Sequence, residues 1–329
     1  MVVILQIWGE VMGLLVDGQW QDKWYDTEDG SFKREATEFH DWITPDGELG
    51  PDGQKAYKAQ SGRYHLFVSL ACPWAHRTLI MRKLKGLDEH ISVSVVDPKM
   101  LEHGWEFSDV TQNNPLGELD YLYEVYLKAK SDYTGRVTVP VLWDTRTGTI
   151  VNNESSEIIR IFNTAFNEIT GNTADYYPEP LREQIDELNA RVYSDINNGV
   201  YKTGFATKQE VYELHYTELW AALDWVEGIL STSRYLCGDQ LTEADIRLFT
   251  TLIRFDAVYH GHFKCNRQRI EDYPYMARYV REIFQDSGIY ETVDFEHIQT
   301  HYYFSHTMIN PNQIVPMGPL IDYMTFKNG

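Results

Sequence analysis

The stretch "VSLACPWAHRTLIMRKLKGL", from Val68 to Leu87, sets a single thiol where an apolar strand pattern gives way to a helical one. Cys72 stands at or just before the helix N-terminus, and Pro73 takes a first-turn position where a missing N–H costs little. Unpaired amide donors and the positive end of the helix dipole favour a thiolate there, and the thiolate is the reactive form. The motif is Cys-Pro-Trp-Ala, so Ala75 occupies the place where a dithiol oxidoreductase carries its second cysteine. Cys72 therefore cannot resolve its own mixed disulfide. It acts as a monothiol that needs an external thiol, which implies glutathione. Beside this stands the plainer reading of a buried, inert cysteine.

Other residue patterns suit a thiol ligand. Pro140 in "TVPVL" sits at the start of a strand facing the thiol helix. A cis proline there exposes the backbone amide and carbonyl of Val139 to a peptide thiol, and the alternative is an ordinary edge-strand proline. In "NNESSEII", Ser155 and free amides at a helix start can bind a carboxylate, while Glu154 can pair with an ammonium. The γ-glutamyl end of glutathione presents both groups, although simple N-capping explains the same residues. Arg136, just before the strand, is a candidate for the glycyl carboxylate and on its own reads as a surface charge. Cys237 and Cys265 carry no motif and read as packed. Three scattered cysteines make no disulfide framework, and no Cys/His spacing suits zinc, so no metal is expected and a reducing, cytoplasmic setting fits.

The elements that must position these groups follow from periodicity. Residues 12–60 are polar, with a Gly/Pro-rich "TPDGELGPDGQ", and read as an irregular extension lying over the surface. "RYHLFVSL" is a strand, "PWAHRTLIMRKLKG" a helix ended by Gly86, and "HISVSVV" a second strand. An insertion covers about 98–134. "RVTVPVLWD" and "GTIVN" form a hairpin around "TRTG", and "ESSEIIRIFNTAF" is a helix. The order β-α-β then β-β-α is that of a thioredoxin-like domain, spanning about 61–170. From about Pro178 to the end, 178–329, the pattern is all-helical: Leu181, Ile185, Leu188, Val192 and Ile196 share one face, a helix runs from about Gln209 to Leu230, and "LTEADIRLFTTLIRF" opens with a Thr242-x-x-Asp245 capping box. The fold class is α/β plus all-α, the architecture of cytosolic glutathione transferases.

With 329 residues, 43% apolar and 14% aromatic, the chain is long enough for two cored domains. A formal net charge of −20 argues against nucleic acid and acidic membrane partners, and it fits salt adaptation equally well. No run reaches the length of a membrane span. The apolar "MVVILQIWGEVMGLL" lacks a basic flank, so a secretory signal is not expected, and Met12 offers an alternative start.

Taken in order, "RYHLFVSLACPWAHRTLIMRKLKGL", "GRVTVPVLWD", "NNES", "NNGVYKTGFA", "LTEADIRL", "RFDAVYHGHFKC" and "HYYFSHTMINP" resemble the glutathionyl-hydroquinone reductases, the xi class of the glutathione transferase superfamily, and their bacterial branch in particular. The likeness covers nearly the whole chain from Met12 and leaves out residues 1–11. It implies reduction of glutathionyl-hydroquinones by a Cys72 thiolate, through a Cys72–glutathione mixed disulfide that a second glutathione resolves, releasing oxidised glutathione. It further implies Tyr201 as proton donor and acceptor, Tyr259 and Tyr302 as tyrosines that assist ionisation of the cysteine and line an aromatic site, and Trp105, Arg136, Val139, Glu154 and Ser155 as glutathione contacts. Alone, Trp105 reads as core, and nothing but the resemblance singles out these three of 22 tyrosines. A homodimer formed largely through the helical domain is also implied. Two rival readings are an omega-like thioltransferase or dehydroascorbate reductase, using the same monothiol, and a non-catalytic ligand-binding homologue.

Overall fold

In the computed structural model, which describes residues 13–23, 25, 29–108 and 114–325, the N-terminal segment is less irregular than its composition suggests. Residues 1–11 and Met12, and with them the start site, lie outside the described residues. Strands β1 (Leu14–Val16) and β2 (Gln19–Gln21) form a hairpin over Asp17 and Gly18, both at positive φ, the backbone that a tight hairpin turn requires. β3 (Trp42–Thr44) and β4 (Ala56–Lys58) pair in parallel across the Gly/Pro-rich loop. The correction has a physical cause. Isolated apolar residues such as Leu15, Phe32 and Ile43 are buried against the rest of the chain, which no local pattern reveals.

The thioredoxin-like layer forms as its periodicity requires. β5 (Tyr64–Val68) is buried at all five positions because both of its faces are covered. α1 (Pro73–Leu84) follows it, and β6 (Ile91–Val95) returns parallel to β5. Residues 98–134 include α2 (Leu122–Ala129), and β7 (Gly135–Arg136) pairs with β1. β8 (Val141–Asp144) and β9 (Thr149–Asn152) complete a four-stranded sheet of order β6-β5-β8-β9, with Leu66 opposite both Val93 and Leu142. The Val139–Pro140 peptide before β8 is cis, as expected. The buried Asp144 carboxylate takes two bonds from Arg63, at 2.8 and 2.6 Å, which ties the hairpin to β5.

α3 (Ser155–Thr164) starts at Glu154, whose side chain accepts from the Ser156 amide, and buries Ile158, Ile159, Ile161 and Phe162. After the short α4 (Asn167–Thr170) come α5 (Arg182–Arg191), α6 (Gly199–Gly204), α7 (Gln209–Leu230), α8 (Glu243–Arg254), α9 (Pro274–Gln285) and α10 (Phe295–Ser305). Of the expected apolar face, Ile185, Leu188, Val192 and Ile196 are buried, whereas Leu181 is half-buried at the end of a 3-10 turn before α5; the second half of the face, Val192–Asn197, winds as a π-helix, as does Phe255–Tyr259. Every residue of α8 is buried. Its N-terminus carries the expected box: Asp245 accepts from the Thr242 amide and hydroxyl at 2.8 and 2.9 Å. α1 packs against α3 on one side and α8 on the other, so the thiol helix lies between sheet and bundle. Among the described residues, no helix is long and apolar enough to cross a membrane, and no cluster of His, Cys, Asp or Glu could hold a metal ion.

Candidate functional site

Cys72 is the N-cap of α1, in extended conformation, with Pro73 as the first helical residue. The turn that presents it is pinned from the bundle. Arg254, wholly buried on α8, donates to the carbonyls of Ala71 at 2.7 Å and Leu70 at 2.8 Å. The Cys72 thiol points at the Val139 carbonyl, 3.6 Å away, beside the cis peptide. Burial pushes the thiol above its ordinary pKa. The amides of Ala75 and Trp74, and the charges of Arg254 and Arg34, pull against it. The helix N-terminus acts as the sequence suggests, yet it does not outweigh desolvation. The expectation of a depressed pKa from that N-terminus alone is corrected to this extent.

Two adjoining cavities meet beside Cys72. The polar one, about 250 Å³, is lined by Arg136, Val139, Glu154 and Ser155 together with Tyr25, Arg34, Trp74 and Tyr193. Arg136 pairs with Glu35 at 3.5 Å, donates to the Lys23 carbonyl and lies 4.2 Å above the Tyr25 ring. The Ser155 hydroxyl accepts from Arg77 at 3.3 Å, and the Glu154 carboxylate also takes the Ser156 hydroxyl at 2.9 Å. The second cavity, about 70 Å³, contains Cys72 itself and is walled by aromatic rings, among them Trp105, Tyr201 and Tyr302. Trp105 stacks on His301 at 4.8 Å, and His301 is fixed by the Pro98 carbonyl at 3.0 Å. Larger than either is a groove of about 920 Å³ between α3 and α5, which shares Glu154 and Tyr193 with the polar cavity but has no thiol in its lining. The chemistry belongs to the smaller pair.

The three tyrosines come together although they lie far apart in sequence. The hydroxyls of Tyr201 and Tyr302 are 2.6 Å apart, and that of Tyr259 is 3.0 Å from Tyr302. Tyr201 and Tyr302 reach the aromatic cavity, whereas Tyr259, wholly buried, stands behind them as the third member of a chain. Burial is the main cause that raises all three phenols above their usual range, Tyr259 and Tyr302 well above, so each keeps its proton at neutral pH. Of the other thiols, Cys265 is buried and pushed up by that burial, and Cys237 is half-buried and likewise raised.

Sequence reasoning missed part of the wall. Tyr25, Phe32 and Arg34 come from the N-terminal segment, and His301 and His306 from the end of α10 and the residue after it. Burial holds His301 down to about 3 and His306 well below its ordinary value, so both are neutral. "HYYFSHTMINP" contains both histidines, but only its tyrosine had drawn a role. "SFKREATEF" carries no local signal for Arg34.

Residues 71–165 match the glutathione S-transferase N-terminal domain and 209–282 the C-terminal domain. The chain is 55% identical to the glutathionyl-hydroquinone reductase YqjG of Escherichia coli strain K12, over 94% of this chain and 96% of that protein. The glutathione-bound structure of YqjG superposes with a TM-score of 0.87, covering 94% of this chain and 97% of the other at 52% identity. The glutathionyl-hydroquinone reductase PcpF of Sphingobium chlorophenolicum is 50% identical over 94% of this chain and 96% of its own. A xi-class glutathione transferase from Natrialba magadii aligns with a TM-score of 0.90 at 48% identity, over 97% and 98% of the two chains. A thioredoxin-like layer with a monothiol at its helix start, joined to a helical domain, thus finds its relatives along almost its full length, and the chain belongs to the glutathione transferases of the xi class, the family of the glutathionyl-hydroquinone reductases.

Proposed function

We propose that this chain reduces glutathionyl-hydroquinones to hydroquinones, and that the residues around Cys72 divide the work as follows. The glutathione limb of the substrate lies in the polar cavity. Glu154 meets the γ-glutamyl ammonium, Ser155 and the amides at the start of α3 meet its carboxylate, the Val139 backbone holds the cysteinyl portion, and Arg136 and Trp105 complete the contacts. The ring lies in the aromatic cavity. The Cys72 thiolate attacks the thioether sulfur. The carbon–sulfur bond breaks, its electron pair passes to the ring carbon, and that carbon takes the proton of Tyr201, so the carbon is reduced while the two sulfurs are oxidised to a mixed disulfide. Tyr302 and Tyr259 hold the Tyr201 phenolate by hydrogen bonds until it is reprotonated, the proton being made good by the one that the second glutathione gives up to solvent on ionising. A second glutathione, as thiolate, then attacks the glutathione sulfur of the mixed disulfide, releasing oxidised glutathione and restoring the Cys72 thiolate.

The observation that carries this reading is one thiol without a resolving partner at the junction of a polar and an aromatic cavity. A thioltransferase or dehydroascorbate reductase would use the same thiol and the same polar cavity, but it has no need of a phenol chain at the ring site. The three free cysteines suit a reducing cytoplasm, and the family resemblance supports a homodimer built through the helical domain, which light scattering tests. The decisive experiment gives the pure protein a glutathionyl-hydroquinone and excess glutathione, with Cys72→Ala alongside. Equal amounts of hydroquinone and oxidised glutathione, absent with the variant, are expected. Mixed-disulfide capture without hydroquinone release would move the assignment to thioltransferase chemistry.

A further inference from the structure

Residues 29–40, "DGSFKREATEFH", lie outside both matched domains, yet they span the mouth of the site. At one end the Gly30 carbonyl accepts from the Thr207 amide at 3.2 Å, and Phe32 packs between Tyr25 and Phe205 at 4.7 and 5.4 Å. At the other, the Phe39 amide donates to Asn153 at 3.1 Å and His40 meets Glu157 at 3.0 Å. The segment therefore straps the helical domain to the thioredoxin-like one. Arg34 lies between these anchors. Its guanidinium is 4.6 Å from the Trp74 ring centre and 5.4 Å from that of Tyr201, and its Nε donates to Asn198 at 3.2 Å. Among the described residues no carboxylate pairs with it. It lines both cavities, and among the described residues lining the one that contains Cys72 it is the only Arg or Lys.

We propose that Arg34 is the cavity-side cation that favours the Cys72 thiolate, adding to Arg254 behind the turn, so that the N-terminal strap completes the nucleophile across the cavity they share. Arg254 also favours the thiolate, from behind the turn, but among the described residues no other Arg or Lys lines the cavity that the thiol faces. From the helical domain, Tyr201 and Tyr302 are phenols that keep their protons, and His301 and His306 are neutral. Arg254 lies behind the turn, held by the Leu70, Ala71 and Thr250 carbonyls and by His76, none of which neutralises its charge, so its pull on the thiol belongs to the turn and is independent of the strap. On the thiol helix, Arg77 bonds Ser155 and Asn197 and does not line the cavity that contains Cys72. Tyr25, from the strap's own side, is a buried phenol. Glu35, Glu154 and Arg136 line the neighbouring polar cavity, where Arg136 is paired with Glu35. A guanidinium on the wall of the thiol's own cavity, with no carboxylate on it among the described residues, favours the thiolate because an opposite charge at close range shifts a pKa by roughly 1–3 units.

This role rests on Cys72 as nucleophile but not on the substrate, so the test uses neither glutathione nor quinone. The full chain and its Arg34→Gln, Arg34→Met and Arg34→Lys variants are alkylated with iodoacetamide from pH 5 to 10, and Cys72 labelling is followed by mass spectrometry. Loss of the charge raises the midpoint by about one pH unit, which slows labelling roughly tenfold on the acid side, while lysine stays close to the parent. Arg34→Met keeps the stem against Trp74, so the test survives if glutamine at this position prevents folding. An unchanged midpoint in the neutral variants overturns the proposal, and so does a lysine variant that shifts as far as they do. A chain that shows the expected shifts but releases no hydroquinone overturns the assigned substrate and leaves the role of Arg34 standing.

Discussion

Replacing Tyr201 with phenylalanine separates the two halves of the proposed chemistry. The ring packs against Phe205 at 6.0 Å and Phe263 at 5.6 Å and keeps those contacts, while the hydroxyl and its 2.6 Å bond to Tyr302 are lost. A neutral hydrogen bond of this kind contributes about 1 kcal/mol net, so the fold survives, with a slightly lower urea midpoint. The catalytic effect differs in kind. Breaking a carbon–sulfur bond needs a proton on the ring carbon, and a positioned acid contributes roughly 10²–10⁴-fold. Breaking a disulfide releases a thiolate that needs no such donor. Tyr201→Phe is therefore expected to reduce a glutathionyl-hydroquinone at least about a hundredfold more slowly, while a small glutathione mixed disulfide is reduced at near the parental rate. The assay runs both substrates at saturating glutathione on one protein preparation. Equal losses on both would show that the hydroxyl only positions Cys72, and equal retention would remove it from the mechanism; either result refutes the argument.

Three further outcomes follow from the same geometry. Glu154→Gln keeps an acceptor for the Ser156 amide but loses the charge offered to an ammonium, so KM for glutathione should rise about tenfold, the order of one charge-assisted bond, with kcat little changed in steady-state kinetics. Asp245→Ala leaves four donors without their acceptor, the Thr242 amide and hydroxyl, the Leu236 amide and the Tyr279 hydroxyl, and is expected to destabilise by roughly 3 kcal/mol or more in urea denaturation; a change under ~1 kcal/mol would show that water replaces the box. Buried His262, His301 and His306 are held neutral, His262 at about 4 and His301 at about 3. The unfolded chain binds their protons near pH 6.5, so their contribution is intact above that pH and falls away as the solution becomes more acid, by about 2 kcal/mol per histidine between pH 7 and 5. Burial lowers His65, His76 and His297 in the same way, and His40, where bonds to Glu157 and Thr37 outweigh burial, acts in the opposite sense, one against six. A urea midpoint that does not fall between pH 7 and 5 would falsify this account.

What could be read from the sequence was local. The start of the thiol helix, the hairpin around "TRTG", the proline before β8 and the Thr242–Asp245 box each announce themselves within a few residues, through alternation, a first-turn proline or a capping spacing. The Ile185–Ile196 face was equally legible, but the wider turn beginning at Val192 was not, since a π-helical segment preserves an apolar face while changing its pitch. Contacts made over long separations left no trace. Arg34 meets Asn198 across 164 positions, and Tyr201 meets Tyr302 across 101. The tyrosines were found only because the chain resembles a family, and Arg34 was not found at all. A buried cysteine was one of the two readings open at Cys72, but the groups around the thiol were not legible, because Phe32 and Arg34 come from the strap and His301 and Tyr302 from α10.

That burial links the two demands on the site. A dry cavity raises phenols and thiols alike, since both become anions on ionising. For Tyr201, Tyr259 and Tyr302 the shift is useful, because an acid that must protonate carbon has to arrive protonated. For Cys72 the same shift is adverse, because only its thiolate attacks sulfur. A site built from the thioredoxin-like layer alone would have the helix N-terminus as its remedy, and here desolvation outweighs it. The phenols and Arg254 come from the helical domain, and Arg34, with no carboxylate on it among the described residues, comes from the N-terminal strap. One chain can therefore keep a proton on oxygen and remove one from sulfur within a single cavity only if all three segments close around it. Opening the strap should weaken nucleophile and acid together by admitting water, whereas neutralising Arg34 within a closed strap should weaken the nucleophile alone.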